Sequence, residues 1–364
     1  MPYNLGMSEI TLALPYALPP PEMASDLTRA LRTPALAALL SRHSKLAAHD
    51  FDNSGRVLPH EAWLAHALGL APAANRPDAG APLAAAALRG FGLGTEEGYW
   101  FVVQPAHVQI SRTHMLLSDP RQLRLDPADS RALFDLMHPF VEELGKRLVY
   151  GDGGTWFMRA DDWSGLLTTT ADAVLGQSMS DWLPEGTHAR DYRKLQNEAQ
   201  MLWHDHPVNQ SRQARGLSVV NSFWLWGGAL ANRLPVQTVP VYIGGGPAWM
   251  QALAEPEHRE PSATQVIAHA RAEGHVTAVL ADLIPEAVAG DWAAWLAHMQ
   301  RLEHEWFAPL LAALKAGSLD RVTLVPSHRD GWLVASTSKL AQHKFWRKHN
   351  LNTLLHTTLS TRLT

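Results

Sequence analysis

The segment NEAQMLWHDHPVNQSRQARGLSVVNSFWLWGG, residues 197–228, indicates the fold more clearly than any other part of the chain. Residues 219–226 within it are almost wholly apolar, as expected of a strand that is covered on both faces of a parallel sheet. Gly227-Gly228 follows this run directly. Ligands of open α/β sheets bind beyond the carboxyl ends of the strands, so the pattern predicts a ligand site at this glycine pair.

Four other apolar runs have the length of buried strands, and helical patterns separate most of them. The runs are residues 10–14, 239–243, 276–283 and 321–326. Strands that alternate with helices favour a parallel sheet with right-handed crossovers. We therefore predict an α/β protein whose mostly parallel sheet carries helices on both faces.

Residues 98–185 have a different texture. They contain two strand-like runs, a helical pattern and a hairpin signal at Gly151-Asp152-Gly153-Gly154. This content predicts a small α+β domain inserted into the α/β core. The core is then discontinuous and consists of residues 1–97 and 186–364.

Composition restricts the class of protein. The net charge of -4 gives no support for a nucleic-acid partner or for binding to an anionic membrane. The chain has no cysteine, which excludes disulfides, thiolate metal sites and cysteine nucleophiles. MPYNLGMSEI lacks the pattern of a signal peptide, and no apolar run is long enough to span a bilayer. We therefore expect a cytoplasmic protein.

The order of motifs in residues 197–228 resembles that of RpfE-type regulatory proteins. An N-E-x-Q-M-L helix is followed by H-P-V-N, an Arg-rich turn and N-S-x-W-L-W-G-G. The resemblance continues in residues 99–117, in residues 290–306 and in the closing Phe-Trp-Arg at 345–347. These bacterial proteins are grouped with the cofactor-independent phosphoglycerate mutases of the alkaline phosphatase superfamily. The resemblance implies an alkaline phosphatase-like fold.

Active members of that superfamily build a two-metal site from Asp and His residues at strand ends. Two metal ions clamp the attacking and leaving oxygens, which requires several converging ligands. Here the first strand ends in Ala13-Leu14-Pro15, and Ser327-His328 stands where an Asp-His pair is expected. These departures favour a catalytically degenerate protein with a regulatory or ligand-sensing function.

The alternative is an active, metal-dependent phosphotransfer enzyme, a phosphoglycerate mutase or phosphatase, with a rearranged site. Its ligands would come from His204, Asp205, His206, Asp282 and His328. His204 and His206, together with His328, are therefore candidate ligands for manganese or zinc. Catalytic zinc needs a third protein ligand and an open position. Capping of a helix end is the competing interpretation of the first two histidines.

The same segment supplies candidates for binding a small phosphorylated or carboxylate ligand. Arg212 and Arg215 offer bidentate donors to such an anion. Asn209 and Asn221 would orient a polar group, beside Trp226, Gly227 and Gly228. The competing interpretation is that the asparagines satisfy buried backbone groups and that the arginines are solvated. The sequence does not identify a protein partner.

Residues 50–61 match the spacing of an EF-hand calcium loop. The candidate ligands are Asp50, Asp52, Ser54 and Glu61, and Gly55 stands at the position of the sharp turn. The alternative is a polar turn in which Glu61 begins a helix. Calcium is thus a third candidate ion, beside manganese and zinc.

Overall fold

A computed structural model describes residues 7–51, 55–70, 80–94, 97–110, 114–344 and 346–355. The chain divides into two compact units. The first unit comprises Met1–Asn53, Gln237–Pro247 and Ala254–Thr364, and the second comprises Ser54–Val236 and Ala248–Leu253.

The described residues form twelve strands and fifteen α-helices. The strands are β1 (Glu9–Leu14), β2 (Lys45–Asp50), β3 (Tyr99–Ala106), β4 (Val108–Ile110), β5 (Met115–Leu117), β6 (Arg147–Tyr150), β7 (Trp156–Arg159), β8 (Ser222–Leu230), β9 (Val241–Gly244), β10 (His275–Leu280), β11 (Arg321–His328) and β12 (Gly331–Ser338). The helices are α1 (Ala24–Ala30), α2 (Pro34–Ser41), α3 (Pro59–Ala67), α4 (Ala84–Gly90), α5 (Pro120–Leu123), α6 (Pro127–Glu143), α7 (Ala171–Val174), α8 (Ala189–His204), α9 (Pro207–Ala214), α10 (Ala248–Gln251), α11 (Ala263–Glu273), α12 (Ile284–Ala289), α13 (Trp292–Leu302), α14 (Ala308–Ala316) and α15 (Lys339–Gln342).

The first unit contains a six-stranded sheet in the order β2-β12-β11-β1-β10-β9. β9, β10, β1 and β11 are parallel, whereas β12 runs antiparallel to both of its neighbours. Ile10 of the central strand β1 pairs with Val276 on one side and with Val322 on the other, and all three side chains are fully buried. The predicted α/β class with a mostly parallel sheet is confirmed.

The second unit contains a separate antiparallel sheet in the order β6-β7-β3-β8, together with the hairpin β4-β5. The prediction that residues 219–226 belong to the main sheet is wrong, because β8 pairs with β3 in this second sheet. Both faces of β8 are nevertheless covered. Phe223 and Leu225 join a core that includes Trp203, while Trp226 packs on Trp249 with ring centroids 4.7 Å apart. Apolar content therefore indicates burial on both faces and leaves the choice of sheet open.

The position of β8 enlarges the second unit beyond residues 98–185. Residues 55–70 and 80–94 of the predicted core pack in this unit, as do α8 and α9. The structure places the boundaries near residues 53 and 237. Among the helices that the structure describes, none combines the length and apolarity required to cross a membrane.

A buried carboxylate from a distant helix caps α2. Glu303 lies in a π-helical turn, residues Glu303–Phe307, between α13 and α14, and its side chain is 3% exposed. Its two oxygens accept hydrogen bonds from the backbone N–H groups of Ala35 and Leu36, at 2.5 and 3.1 Å. A carboxylate at this position satisfies otherwise unpaired donors and complements the helix dipole.

We expect Glu303→Gln to lower the free energy of unfolding by about 1–3 kcal/mol, because one backbone N–H of α2 then faces an amide donor. Urea denaturation followed by far-UV circular dichroism measures this change. Glu305→Gln, an exposed position in the same turn, is the matched control and should change stability by less than about 0.5 kcal/mol. Equal stability of the two variants would contradict the capping role.

Candidate functional site

The candidate site is the carboxyl edge of the parallel strands in the first unit, where open α/β sheets bind their ligands. β9 leads there into Gly245, β10 into Asp282, and β1 into Pro15 and Tyr16. β11 ends at His328. The polar groups at this edge decide which chemistry the site supports.

The segment after the central strand β1 is held by Ser327, which is 2% exposed. The Ser327 hydroxyl accepts a hydrogen bond from the N–H of Tyr16 at 3.4 Å. The backbone carbonyl of Ser327 accepts one from the N–H of Leu18 at 3.0 Å. Tyr16 has a φ of 59°, a left-handed conformation that a non-glycine residue adopts at a cost. The Nε1 of buried Trp295 donates a hydrogen bond to the carbonyl of Tyr16 at 2.9 Å. Ser327 therefore fixes the backbone at this end of β1.

His328 is largely buried at the end of β11. Its Nδ1 accepts a hydrogen bond from the N–H of Asp330 at 3.0 Å, which leaves the proton of the neutral ring on Nε2. Burial lowers the pKa of His328, although the charges of Asp330 and Asp50 act in the opposite direction. The ring is thus a neutral imidazole at pH 7. Its Nδ1 already accepts a hydrogen bond within the turn between β11 and β12.

Two carboxylates approach the glycines that follow β9. Gly245 has a φ of +67°, and a Cβ at this position would lie 2.5 Å from Oδ1 of Asp282. Its N–H donates a hydrogen bond to Oε1 of Glu260 at 3.1 Å. Because the backbone passes so close to Asp282, only glycine fits here without displacing the carboxylate. The sequence pattern Gly244-Gly245-Gly246 is thereby explained as a turn shaped around Asp282.

These side chains do not fit the two-metal centre of the alkaline phosphatase superfamily. Such a centre needs several carboxylate and imidazole ligands that converge. Asp282 comes shortly after β10, and His328 is the last residue of β11. β1 lies between these two strands and itself ends without an acid. Across the described ranges, no group of three or more His, Asp or Glu side chains is arranged to hold a metal ion.

The histidines that the sequence suggested as ligands lie in different units. His204 and His206 belong to the second unit, whereas His328 belongs to the first. The side chain of His204, at the end of α8, is 79% exposed and lies 3.9 Å from Asp205. Nδ1 of His206 accepts a hydrogen bond from the N–H of Val208 at 3.3 Å and caps α9. His206 is thus the N-cap of α9, whereas the capping expected from the sequence was at the carboxyl end of the preceding helix.

Asn209 and Arg212 use their hydrogen-bonding groups within the second unit. The Asn209 amide donates to the carbonyls of Trp203 and Val220 and accepts from the N–H of Val220, each at 2.8 Å. The Arg212 side chain, which is 1% exposed, donates to the carbonyl of Ser218 at 2.8 Å and to that of Leu123 at 2.5 Å. Both residues join α9 to the segment before β8.

Of the remaining predicted ligand residues, two make hydrogen bonds within the second unit and one is exposed. Asn221 exchanges two hydrogen bonds with the backbone of Val108, at 2.7 and 2.9 Å. Trp226 donates from Nε1 to Oε1 of Gln104 at 2.7 Å. Arg215, at the end of α9, is exposed. Of the two arginines, it alone presents its side chain to solvent.

Gly227 and Gly228 lie inside β8 rather than beyond its end, so their predicted position is wrong. The register between β3 and β8 shifts here, which marks a β-bulge. Gly227 has a φ of +74°, and a Cβ on Gly228 would lie 2.7 Å from the rings of Phe101 and Tyr99. A tight contact with the aromatic side chains of β3 explains the glycine pair.

The two described residues of the suggested calcium loop, Asp50 and Glu61, belong to different units. Asp50 ends β2 in the first unit, where it pairs with Gly331. Glu61 is 1% exposed in the second unit, and Asp52 and Ser54 lie outside the described residues. Oε2 of Glu61 accepts hydrogen bonds from the N–H of Leu58 at 2.8 Å and from the hydroxyl of Thr170 at 2.7 Å. Glu61 therefore acts in the first turn of α3.

Glu61 also belongs to a buried titratable cluster that the sequence does not reveal. Burial raises the pKa of Glu61 to about 8, with a further contribution from the charge of Asp172. Burial lowers the pKa of neighbouring His60 to about 4. Asp172 forms a bidentate pair with Arg121, at 2.9 and 3.0 Å. No sequence spacing indicates this cluster, because its members come from three separate segments.

We expect Glu61→Gln to become more stable relative to the wild type as pH rises from 5 to 8. The unfolded carboxyl titrates near 4.5 and the folded one near 8, so the folded state retains a proton that the unfolded state releases. The stability that this proton confers is complete below pH 4.5 and is lost as pH rises towards 8. Between these two pKa values, the free energy of unfolding of Glu61→Gln minus that of the wild type should rise by about 1.4 kcal/mol per pH unit.

Urea denaturation at four pH values measures this difference between the two proteins. Glu22→Gln, at an exposed position, is the control and should follow the wild type at every pH. An identical pH dependence in the wild type and Glu61→Gln would contradict the raised pKa.

Comparison with known proteins finds local similarity to mutases. The chain is 37% identical over 62 residues to the 2,3-bisphosphoglycerate-independent phosphoglycerate mutase of Methanothrix thermoacetophila. It is 33% identical over 70 residues to the probable 2,3-bisphosphoglycerate-independent phosphoglycerate mutase of Geobacter sulfurreducens. Over these segments the chain is similar to phosphoglycerate mutases. The matched segments cover 17% and 19% of this chain but only 16% and 18% of those relatives.

A solved structure shares the fold of this chain over most of its length. The PH0037 protein of Pyrococcus horikoshii superimposes with a TM-score of 0.56 and 11% identity, covering 97% of this chain and 93% of that one. The cofactor-independent phosphoglycerate mutase of Thermoplasma acidophilum gives a TM-score of 0.49 at 15% identity, covering 96% and 94%. At 11% identity the first of these shows a shared fold alone. No family model matches this chain.

Proposed function

We propose that this mutase-like chain is an RpfE-type regulatory or ligand-sensing protein that does not transfer phosphoryl groups. The observation that carries the proposal is the pair of hydrogen bonds that Ser327 accepts from the backbone after β1. Where the superfamily places a metal-binding acid, this serine instead holds the backbone of Tyr16 and Leu18 through its hydroxyl and carbonyl.

Electrostatics at the same edge support the proposal. A metal-assisted transfer needs cations to neutralise the phosphoryl oxygens. Here Asp282 stands close to Gly245, while neutral His328 engages the N–H of Asp330. In the second unit, one of the two arginines expected to attract an anion, Arg212, is committed to backbone carbonyls.

The local identity to mutases favours one alternative function. Metal-dependent phosphoryl transfer through a rearranged site would rest on Asp282, which follows the parallel strand β10 after one linking residue. This alternative predicts a rate that depends on added metal and on Asp282.

We expect the purified chain to show no conversion of 3-phosphoglycerate to 2-phosphoglycerate above the blank, with manganese, zinc or cobalt present. An enolase-coupled assay measures the conversion, and an active mutase in the same buffer is the positive control. A rate that a chelator abolishes and that Asp282→Asn removes would contradict the proposal. Asp320→Asn, at an exposed position that binds Ser8, is the matched control variant in that case.

A further inference from the structure

Positive charge is concentrated at the amino-terminal edge of the parallel sheet in the first unit. Ser338, the last residue of β12, pairs there with Arg321, the first residue of β11. From Gly331 onwards the chain contains five Lys or Arg residues and no Asp or Glu, although its total net charge is -4. The total therefore conceals a local excess of positive charge, and a local field is what an anionic partner meets.

Hydrogen bonds hold the segment after β12 against the segment that joins α2 to β2. The guanidinium of Arg42 donates to the carbonyl of Gln342 at 2.7 Å. Lys344 and Arg347 both donate to the carbonyl of His43, at 3.1 and 3.4 Å. The acceptors are uncharged backbone groups, so these bonds fix three cations in place without neutralising them.

The end of α14 adds further cations to the same surface. Partial burial lowers the pKa of His349, and the charges of Arg42 and Lys315 lower it further. Lys315 is in the last turn of α14, and Gly317 caps that helix. A Cβ on Gly317 would lie 2.6 Å from Nζ of Lys339. Like charges from three separate segments therefore meet here.

We call this surface the basic patch, and its members are Arg42, Lys45, Lys315, Lys339, Lys344, Arg347 and Lys348. It holds five of the seven lysines of the chain. Within the described ranges, none of its members forms an ion pair with a carboxylate. Two acids of the same edge bind other groups. Glu9 pairs with Arg321 at 3.5 Å. Asp320 accepts hydrogen bonds from the N–H and the hydroxyl of Ser8.

Two large apolar side chains stand among these cations. Leu340, next to Lys339, is 82% exposed, and Trp346, next to Arg347, is 68% exposed. Cations combined with exposed leucine and tryptophan are typical of surfaces that enter the interface of an anionic membrane. A nucleic acid would engage the cations but has no use for Leu340, and single strands stack on several aromatic side chains. The combination therefore favours a lipid surface.

We propose that the basic patch docks the first unit on an anionic phospholipid surface. Its lysines and arginines lie at the lipid headgroups, while Leu340 and Trp346 enter the boundary between headgroups and acyl chains. This attachment goes beyond the function proposed above, because it uses the edge of the sheet opposite to the candidate site and does not depend on the absence of phosphoryl transfer.

Co-sedimentation of the full chain with vesicles tests the proposal. Vesicles of phosphatidylcholine that contain phosphatidylserine at about 30% are compared with vesicles of phosphatidylcholine alone, in about 0.1 M NaCl. We expect the protein to bind the anionic vesicles at least about tenfold more tightly than the neutral ones. About 1 M NaCl should release it, because the screening length then falls to roughly 3 Å.

Two triple variants separate the basic patch from the effect of total charge. The patch variant replaces three exposed lysines: Lys315→Gln, Lys339→Gln and Lys348→Gln. The matched control replaces three exposed cations of α8: Arg190→Gln, Arg193→Gln and Lys194→Gln. We expect the patch variant to bind anionic vesicles at least about tenfold more weakly, and the control to stay within about twofold of the wild type.

Leu340→Ser and a competing oligonucleotide separate a lipid surface from other polyanions. Leu340→Ser should weaken vesicle binding about threefold to tenfold, because a leucine no longer leaves water on attachment. The proposal is wrong if anionic vesicles sediment no more protein than neutral ones, or if the patch variant binds like its control. It is also wrong if Leu340→Ser binds like the wild type, or if a single-stranded oligonucleotide at equal phosphate charge removes the protein from the vesicles.

Discussion

The hydrogen bonds that Ser327 makes to the chain after β1 determine the character of the sheet edge. β1 is the strand between β10 and β11, so its carboxyl end lies at the middle of the parallel sheet. Ser327 and the indole of Trp295 together bind the backbone of Tyr16 and Leu18 there. The end of β1, where the resemblance to the alkaline phosphatase superfamily implies a metal ligand, thereby becomes part of the scaffold. Among the described residues, Asp282, after β10, and His328, at the end of β11, lie on either side of β1 and do not converge on one ion site.

The four parallel strands of the main sheet could be predicted from the sequence because they are short apolar runs, most of them separated by helices, whereas its two remaining strands, β2 and β12, were not predicted. Residues 10–14, 276–283 and 321–326 correspond to β1, β10 and β11. β8 could not be placed, because its apolar run records burial on both faces and carries no information about its neighbour. Its partner, β3, lies more than a hundred residues away in the chain, and only the packed second unit brings the two strands together.

The candidate site was harder to predict than the fold, for a physical reason. The sequence shows that Asn209 and Arg212 carry donors, but a ligand and a backbone carbonyl are equivalent acceptors for those donors. The same ambiguity applies to Glu61, whose carboxylate binds the backbone of Leu58 and the hydroxyl of Thr170. Missing acids are more informative, since no neighbouring side chain supplies an absent charge. The replacement at Ser327 could therefore be interpreted before its hydrogen bonds were known.

The central claim is that this sheet edge does not bind a pair of metal ions. Native mass spectrometry of the full chain after dialysis against manganese, and separately against zinc, tests the claim most directly. The account predicts no species with two bound ions at either metal. A two-metal species that disappears in Asp282→Asn and persists in Asp320→Asn would contradict it.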